Sequence, residues 1–224
     1  MTSWSRPPAM RCSPATCRVP PQPSSVPVAA PPGCERIGHA CRDPSMTLRL
    51  YQIAGCPYCR KVSRALEQLG LEYQVVEIDP DLRSEVKKIS GQEKVPVLVD
   101  GDRVITDSTA ILRHLVDYSS GGELLPEDSR HQALAWILEA YADDTLVPLV
   151  ARSRDSQEDR AELAVHLAWL EQFLDPGGYI LGDAPTLADL ALHAAISGLE
   201  RDGQGPPLST ELSRLCSWYG RLRS

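Results

Sequence analysis

The 224-residue chain predicts an α/β domain of order βαβαββα followed by an all-α domain. Three observations predict it. Cys56-Pro57-Tyr58-Cys59 stands at a strand-to-helix turn, short strand and helix patterns alternate as far as Tyr118, and every periodic stretch beyond Ser119-Ser120-Gly121-Gly122 is helical. Thr47 to Ile53 is strand-like and Arg60 to Leu69 helix-like, with Pro57 at a first helical position where its missing N–H is no loss. Glu72 to Ile78 alternates around Tyr73, Val75 and Val76 as a second strand. Asp79-Pro80-Asp81 closes that strand and caps a helix over Leu82 to Ile89. Val95 to Val99, the turn Asp100-Gly101-Asp102 and Arg103 to Ile105 form a hairpin. Thr106-Asp107-Ser108-Thr109 then starts a helix over Ala110 to Tyr118.

In the second half one helix runs from Ser129 into Leu146, where Pro148 is expected to kink or end it. A second, Gln157 to Leu174, carries Leu163, Leu167, Leu170 and Leu174 on one stripe, and Asp175-Pro176-Gly177-Gly178 stops it. Thr186 as N-cap and Asp189 three residues on open a third helix through a carboxylate variant of the capping box, a structural role without chemistry. A last helix spans Thr210 to Leu222, bringing in Leu215 and Trp218. The expected division is an extension over 1–45, an α/β domain over 46–120, a linker over 121–128 and a helical domain over 129–224.

Residues 1–45 differ from all that follows. They hold ten of the nineteen prolines, four of the seven cysteines (Cys12, Cys17, Cys34 and Cys41), five arginines and two acids. That proline density forbids long helices and removes strand donors, so the expectation is a disordered extension or one translated from a start upstream of Met46. An organelle-targeting leader is the weaker alternative, because prolines spoil an amphipathic helix. The segment carries +3, so the −7 of the whole chain leaves about −10 for the rest. An acidic body argues against nucleic acid as a partner. No apolar run reaches the length of a membrane span, which predicts a cytoplasmic protein with no membrane partner. Only Cys56, Cys59 and Cys216 lie in the body, which is no disulfide scaffold. His114, His131, His166 and His193 are scattered, and no other cysteine pair or histidine cluster follows Cys56 and Cys59 at ligand spacing, so no metal is expected.

Two thiols two residues apart at the start of a helix suit thiol–disulfide exchange. The first sulfur sits where helical N–H groups stabilise a thiolate, with Arg60 and Lys61 as candidate helpers, and the second is placed to attack a mixed disulfide on the first. Cys56 is thus the candidate nucleophile and Cys59 the resolving thiol.

The order C-P-Y-C, Lys94-Val95-Pro96 and Asp107-Ser108 resembles that of the thioredoxin fold. With the helical second half and the Thr186/Asp189 helix start, residues 46–222 resemble the glutathione S-transferase superfamily, particularly its cysteine-type members and the two-domain glutaredoxins. The resemblance implies glutathione as co-substrate and no tightly bound cofactor. It implies a cis peptide at Pro96, with Val95 hydrogen-bonding the cysteinyl group of glutathione. Ser108 would hold the γ-glutamyl carboxylate at a helix N-terminus, Asp107 the γ-glutamyl ammonium and Lys94 a carboxylate. Tyr58 would stack on or hydrogen-bond glutathione. Trp136, Tyr141 and His166 lie on the helices that wall the second-substrate pocket of the superfamily, with core packing as their competing role. A homodimer is open under the same resemblance.

The function expected first is therefore glutathione-dependent thiol–disulfide exchange, with a disulfide or glutathionylated protein as partner. The alternatives are conjugation of glutathione to a small electrophile and a non-catalytic binding module. Cysteine at position 56 favours a mixed disulfide over a free glutathione thiolate held by a hydroxyl, which ranks conjugation second.

Overall fold

The computed structural model describes residues 48–81, 83–119, 122–174, 177–200 and 208–223, so the expectations for residues 1–45 lie outside the described residues. In the first half β1 (Leu48–Gln52), α1 (Pro57–Gln68), β2 (Tyr73–Glu77), α2 (Ser84–Ser90), β3 (Val97–Asp100), β4 (Arg103–Thr106) and α3 (Ser108–Tyr118) follow the expected order. The four-stranded sheet has the order β2-β1-β3-β4; β1 and β2 are parallel, and the other pairs antiparallel. Successive side chains leave a strand on opposite faces. Leu48 and Leu50 of β1 and Leu98 of β3 therefore meet Val62, Ala65 and Leu66 of α1 and Ile111, Leu112 and Leu115 of α3. Tyr51, Val97 and Val99 point the other way, onto Val86 of α2. The expected hairpin strand begins two residues late. Pro96 has no N–H for the ladder, so Val95 and Pro96 precede β3 rather than belong to it.

The second half is entirely helical among the described residues: α4 (Ser129–Tyr141), a π turn (Ala142–Leu146), α5 (Val147–Arg152), α6 (Gln157–Phe173), α7 (Leu187–Ile196), a 3₁₀ turn (Ser197–Leu199) and α8 (Ser213–Arg223). The helix begun at Ser129 does not end at Pro148. It passes through the π turn and continues as α5 to Arg152. Pro148 has no N–H for a carbonyl four residues back, and the Val147 N–H instead reaches the Ala142 carbonyl five residues back. The last helix starts at Ser213 rather than Thr210.

Every residue of α7 is buried, which its near-continuous apolar run dictates. It packs against α1 and α4, and its Leu190 enters the same core as the sheet. The Leu187 N–H also donates to the Leu124 carbonyl at 2.8 Å, tying the helix start to the segment between the domains. At that start the Asp189 carboxylate, fully buried, accepts from Thr186 N (2.9 Å), Thr186 Oγ1 (2.9 Å), Ile180 N (2.9 Å) and Trp218 Nε1 (2.8 Å). Asp189→Ala strips four donors of their acceptor inside the core and is expected to cost about 3–4 kcal/mol. A urea midpoint lowered at unchanged slope is the expected readout.

Further along α7, the His193 ring stacks on Tyr219 with centroids 4.3 Å apart, and its Nε2 has no hydrogen-bond partner among the described residues. Burial, helped by Arg64 and Arg60, pushes its pKa down to about 4. Between about pH 6.5 and 4 the unfolded chain takes up a proton that the native ring refuses. The contribution is thus full above pH 6.5 and lost as pH falls towards 4, about 3 kcal/mol in all. His193→Phe, which cannot titrate, should show a shallower loss of stability between pH 7 and 4.5 in chemical denaturation.

Candidate active site

The β1–α1 turn places Cys56 at the N-cap of α1 and Pro57 in its first turn, because a capping residue leaves the helix with extended backbone (φ −72°, ψ 120°) and proline has no N–H to lose. Cys56 is half-buried and lines a cavity of about 800 Å³, whereas Cys59 is buried one turn below it. The cavity is walled by three segments of the first half and one of the second. Tyr58 joins Cys56 from α1. Arg83, Gln92 and Lys94 surround the Val95-Pro96 corner, whose peptide bond is cis. Thr106, Asp107 and Ser108 form the start of α3, and Asp143 and Asp144 descend from the π turn. Seven of the eight residues expected from the α/β half thus share one cavity, and Cys59 lies beneath it.

Asp107 holds φ at +74°, a conformation that costs a non-glycine residue about 1–3 kcal/mol. Its carboxylate caps α3 by accepting from the Ala110 N–H at 3.0 Å. Ser108, at the first helical position, is 4% exposed.

The two thiols are driven apart in acidity. A hydrogen bond from the Cys59 thiol lowers the pKa of Cys56 to about 6 against the opposing effect of burial. The backbone N–H groups of Cys59 and Tyr58 and the charge of Arg83 add to the lowering. Cys59, donating to Cys56 and buried beside its charge, is pushed far up. Arg60 and Lys61 do not supply the positive charge expected of them. The Arg60 guanidinium turns to Glu200 at 3.4 Å. Lys61 is buried, its ammonium held at 2.5 Å by both Glu139 and Asp143 of the helical domain. Thr109 Oγ1 donates to the same Glu139 carboxylate at 2.7 Å. Burial raises the Asp143 carboxyl to about 6, with Lys61 opposing. Burial and the charges of Asp143, Cys56 and Asp144 together raise the Tyr58 phenol.

Trp136, Tyr141 and His166 do not line this cavity. Trp136 packs where the two domain cores meet, under the Arg113 guanidinium at 4.9 Å. The Tyr141 hydroxyl and His166 Nδ1 lie 2.6 Å apart, beside Trp169 and Phe173, so both serve the packing of α4 on α6. The second half instead contributes Asp143 and Asp144, which sequence reasoning missed together with Glu139 and Arg83; Lys61, expected beside the thiolate, pairs with Glu139 and Asp143 instead. One signal pointed there: Pro148 leaves the Asp144 carbonyl without its usual donor and marks the site of the π turn.

Residues 50–121 match the family model described as glutathione S-transferase, N-terminal domain, and residues 129–224 that of the corresponding C-terminal domain. The chain is 29% identical over 198 residues to glutathione S-transferase 1 of Dianthus caryophyllus, covering 80% of this chain and 90% of that one. It is 42% identical over 87 residues to prostaglandin E synthase 2 of Mus musculus, covering 37% of this chain and only 22% of that protein's length. A glutathione transferase homologue of Drosophila mojavensis, solved with bound glutathione, superposes with a TM-score of 0.68 at 27% identity over 80% of this chain and 88% of that one.

If the Cys59 thiol is the main source of the Cys56 acidity, Cys59→Ala should move the midpoint of Cys56 alkylation from about 6 up towards the ordinary thiol range. Iodoacetamide rates between pH 4 and 9 check this.

Proposed function

The chain belongs to the glutathione S-transferase superfamily, and from that premise we propose that it is a glutathione-dependent thiol–disulfide oxidoreductase acting on mixed disulfides. The observation that carries the proposal is the placement of Cys56 at the N-cap of α1, opening into the cavity, with the buried Cys59 one turn below it; in that position the Cys56 thiol is lowered to about 6. Near neutral pH such a thiol is largely thiolate, the form that attacks a disulfide.

Glutathione lies with its cysteinyl group against Val95, its γ-glutamyl carboxylate at the N-terminus of α3 by Ser108 and its ammonium near Asp107. Lys94 and Arg83 face the glycyl carboxylate, and Tyr58 lies over the peptide. The Cys56 thiolate attacks the glutathione sulfur of a mixed disulfide. The Cys56–glutathione bond forms as the substrate thiolate leaves and takes a proton from water. A second glutathione, as thiolate, attacks the bound glutathione sulfur, which releases glutathione disulfide and returns Cys56 as thiolate. When the partner is a protein disulfide, Cys59 loses its proton, attacks the Cys56 sulfur and expels the partner's thiolate, and two glutathiones then reduce the Cys56–Cys59 bond. Cys59 is a poor nucleophile in the resting protein because the Cys56 charge raises it. Once Cys56 is tied up in a disulfide that charge is gone, so Cys59 becomes more acidic when it is needed.

A second reading, conjugation of glutathione to a small electrophile, is favoured by the transferase names of several relatives. The two separate cleanly. Cys56→Ser should lower reduction of the hydroxyethyl–glutathione mixed disulfide by roughly a thousandfold or more, while Cys59→Ser keeps most of it. Unchanged reduction by Cys56→Ser, together with aryl halide turnover that survives Cys56→Ala, would establish conjugation instead.

A further inference from the structure

We propose that Asp143 and Asp144 select a mixed disulfide of glutathione whose other half carries an ammonium or guanidinium group. The inference rests on the thiol-exchange reading above and adds the substrate class to it.

Charge in the cavity is segregated by domain. Its cations, Arg83 and Lys94, come from the α/β half, and the helical half contributes two carboxylates and no cation. Asp107, the acid of the α/β half, is engaged in capping α3. Of the two carboxylates of the helical wall, one is held in place. Asp143 is fixed by Lys61, whose side chain is 1% exposed and also bound to the equally buried Glu139. Asp144 is exposed and has no ion-pair or hydrogen-bond partner among the described residues. One lysine against Glu139, Asp143 and Asp144 leaves this wall with an excess of negative charge. The π turn matters because it brings two consecutive acidic residues to the lining of one cavity, and such turns recur at functional sites.

Both carboxylates act on Tyr58, and Tyr58 Oη lies 3.4 Å from the Asp143 carbonyl oxygen, two residues along the chain from Cys56. A substrate disulfide whose sulfur meets Cys56 therefore extends its leaving half towards this wall, while its glutathione half lies against Val95 and Ser108. The Cys56 thiolate takes the glutathione sulfur, and the leaving half departs as a thiolate that gains a proton from water. A second glutathione then regenerates Cys56 and carries the oxidising equivalent away as glutathione disulfide. A cation on the leaving half gains Coulomb energy along this path and an anion loses it.

The test is kcat/KM at low ionic strength for three mixed disulfides of glutathione, with cysteamine, 2-mercaptoethanol and 3-mercaptopropionate as the other half. The expected order is cation, neutral, anion, with roughly tenfold between the ends, compressed at 0.5 M salt. Asp144→Asn should shrink the cation-to-anion ratio towards one. Glutathionylated heptapeptides with lysine or glutamate beside the cysteine show whether the preference extends from small aminothiols to polypeptides; because the small leaving thiols also differ in acidity, a preference in either set supports the inference when Asp144→Asn removes it. Equal kcat/KM for all three small disulfides and both peptides, or a ratio that survives Asp144→Asn, overturns it while leaving thiol exchange intact. No turnover of any of them overturns the thiol-exchange reading and this one with it.

Discussion

The buried ammonium of Lys61 is the constraint on which the site depends. A charge removed from water costs several kcal/mol unless it is paired and hydrogen-bonded. The required partners, Glu139 and Asp143, lie in the helical domain, so the helix that carries both cysteines is committed to that domain. Thr109 donates to the same Glu139, which draws the start of α3 into the network. Three segments that wall the cavity are thereby referenced to one nitrogen. A well-packed apolar residue could stabilise that position as well as an ion pair does. What the pair supplies is the placement of the Asp143 wall.

That placement also determines where positive charge is absent. Lys61 follows Cys59 by two residues, yet its ammonium is taken by carboxylates, and Arg60 is taken by Glu200. The acidity of Cys56 therefore rests on neutral donors, foremost the Cys59 thiol and then two backbone N–H groups, with Arg83 as the contributing cation. A thiolate held by a neighbouring S–H is coupled to the redox state of that neighbour. Loss of either proton or thiol changes the other.

The helical half supplies rigidity as well as a wall. The fully buried α7 packs on α1, and its first turn is secured by the four-fold-bonded Asp189 carboxylate. Among the described residues, positive φ at a non-glycine residue occurs at Asp107 alone, where it turns the chain into the α3 N-terminus. A rigid scaffold around one strained corner holds backbone donors in fixed directions, which is the arrangement anion recognition needs.

Much of this was legible in the residues alone. A strand-like run located β1, period-two alternation located β2, a helical stripe located α6, and Pro57, Thr186 and Asp189 marked helix starts, because these signals are local and depend on few neighbours. The motif residues Cys56, Val95-Pro96 and Asp107-Ser108 were equally readable, since each carries its backbone geometry with it. The roles of Lys61, Glu139, Asp143 and Asp144 were not. Their pairing joins residues about eighty positions apart, and a lysine beside a cysteine gives no sign of which charge it will meet. The surroundings of Trp136, Tyr141 and His166, left open between a pocket wall and core packing, were unreadable for the same reason: helical periodicity says which face is apolar, not which neighbour covers it. The sequence by itself determined the element order, the paired cysteines at a helix start and the proline corner that faces them. Only the tertiary structure decided the electrostatics of the thiol and the acidic wall, because Coulomb interactions depend on distances that local pattern does not encode.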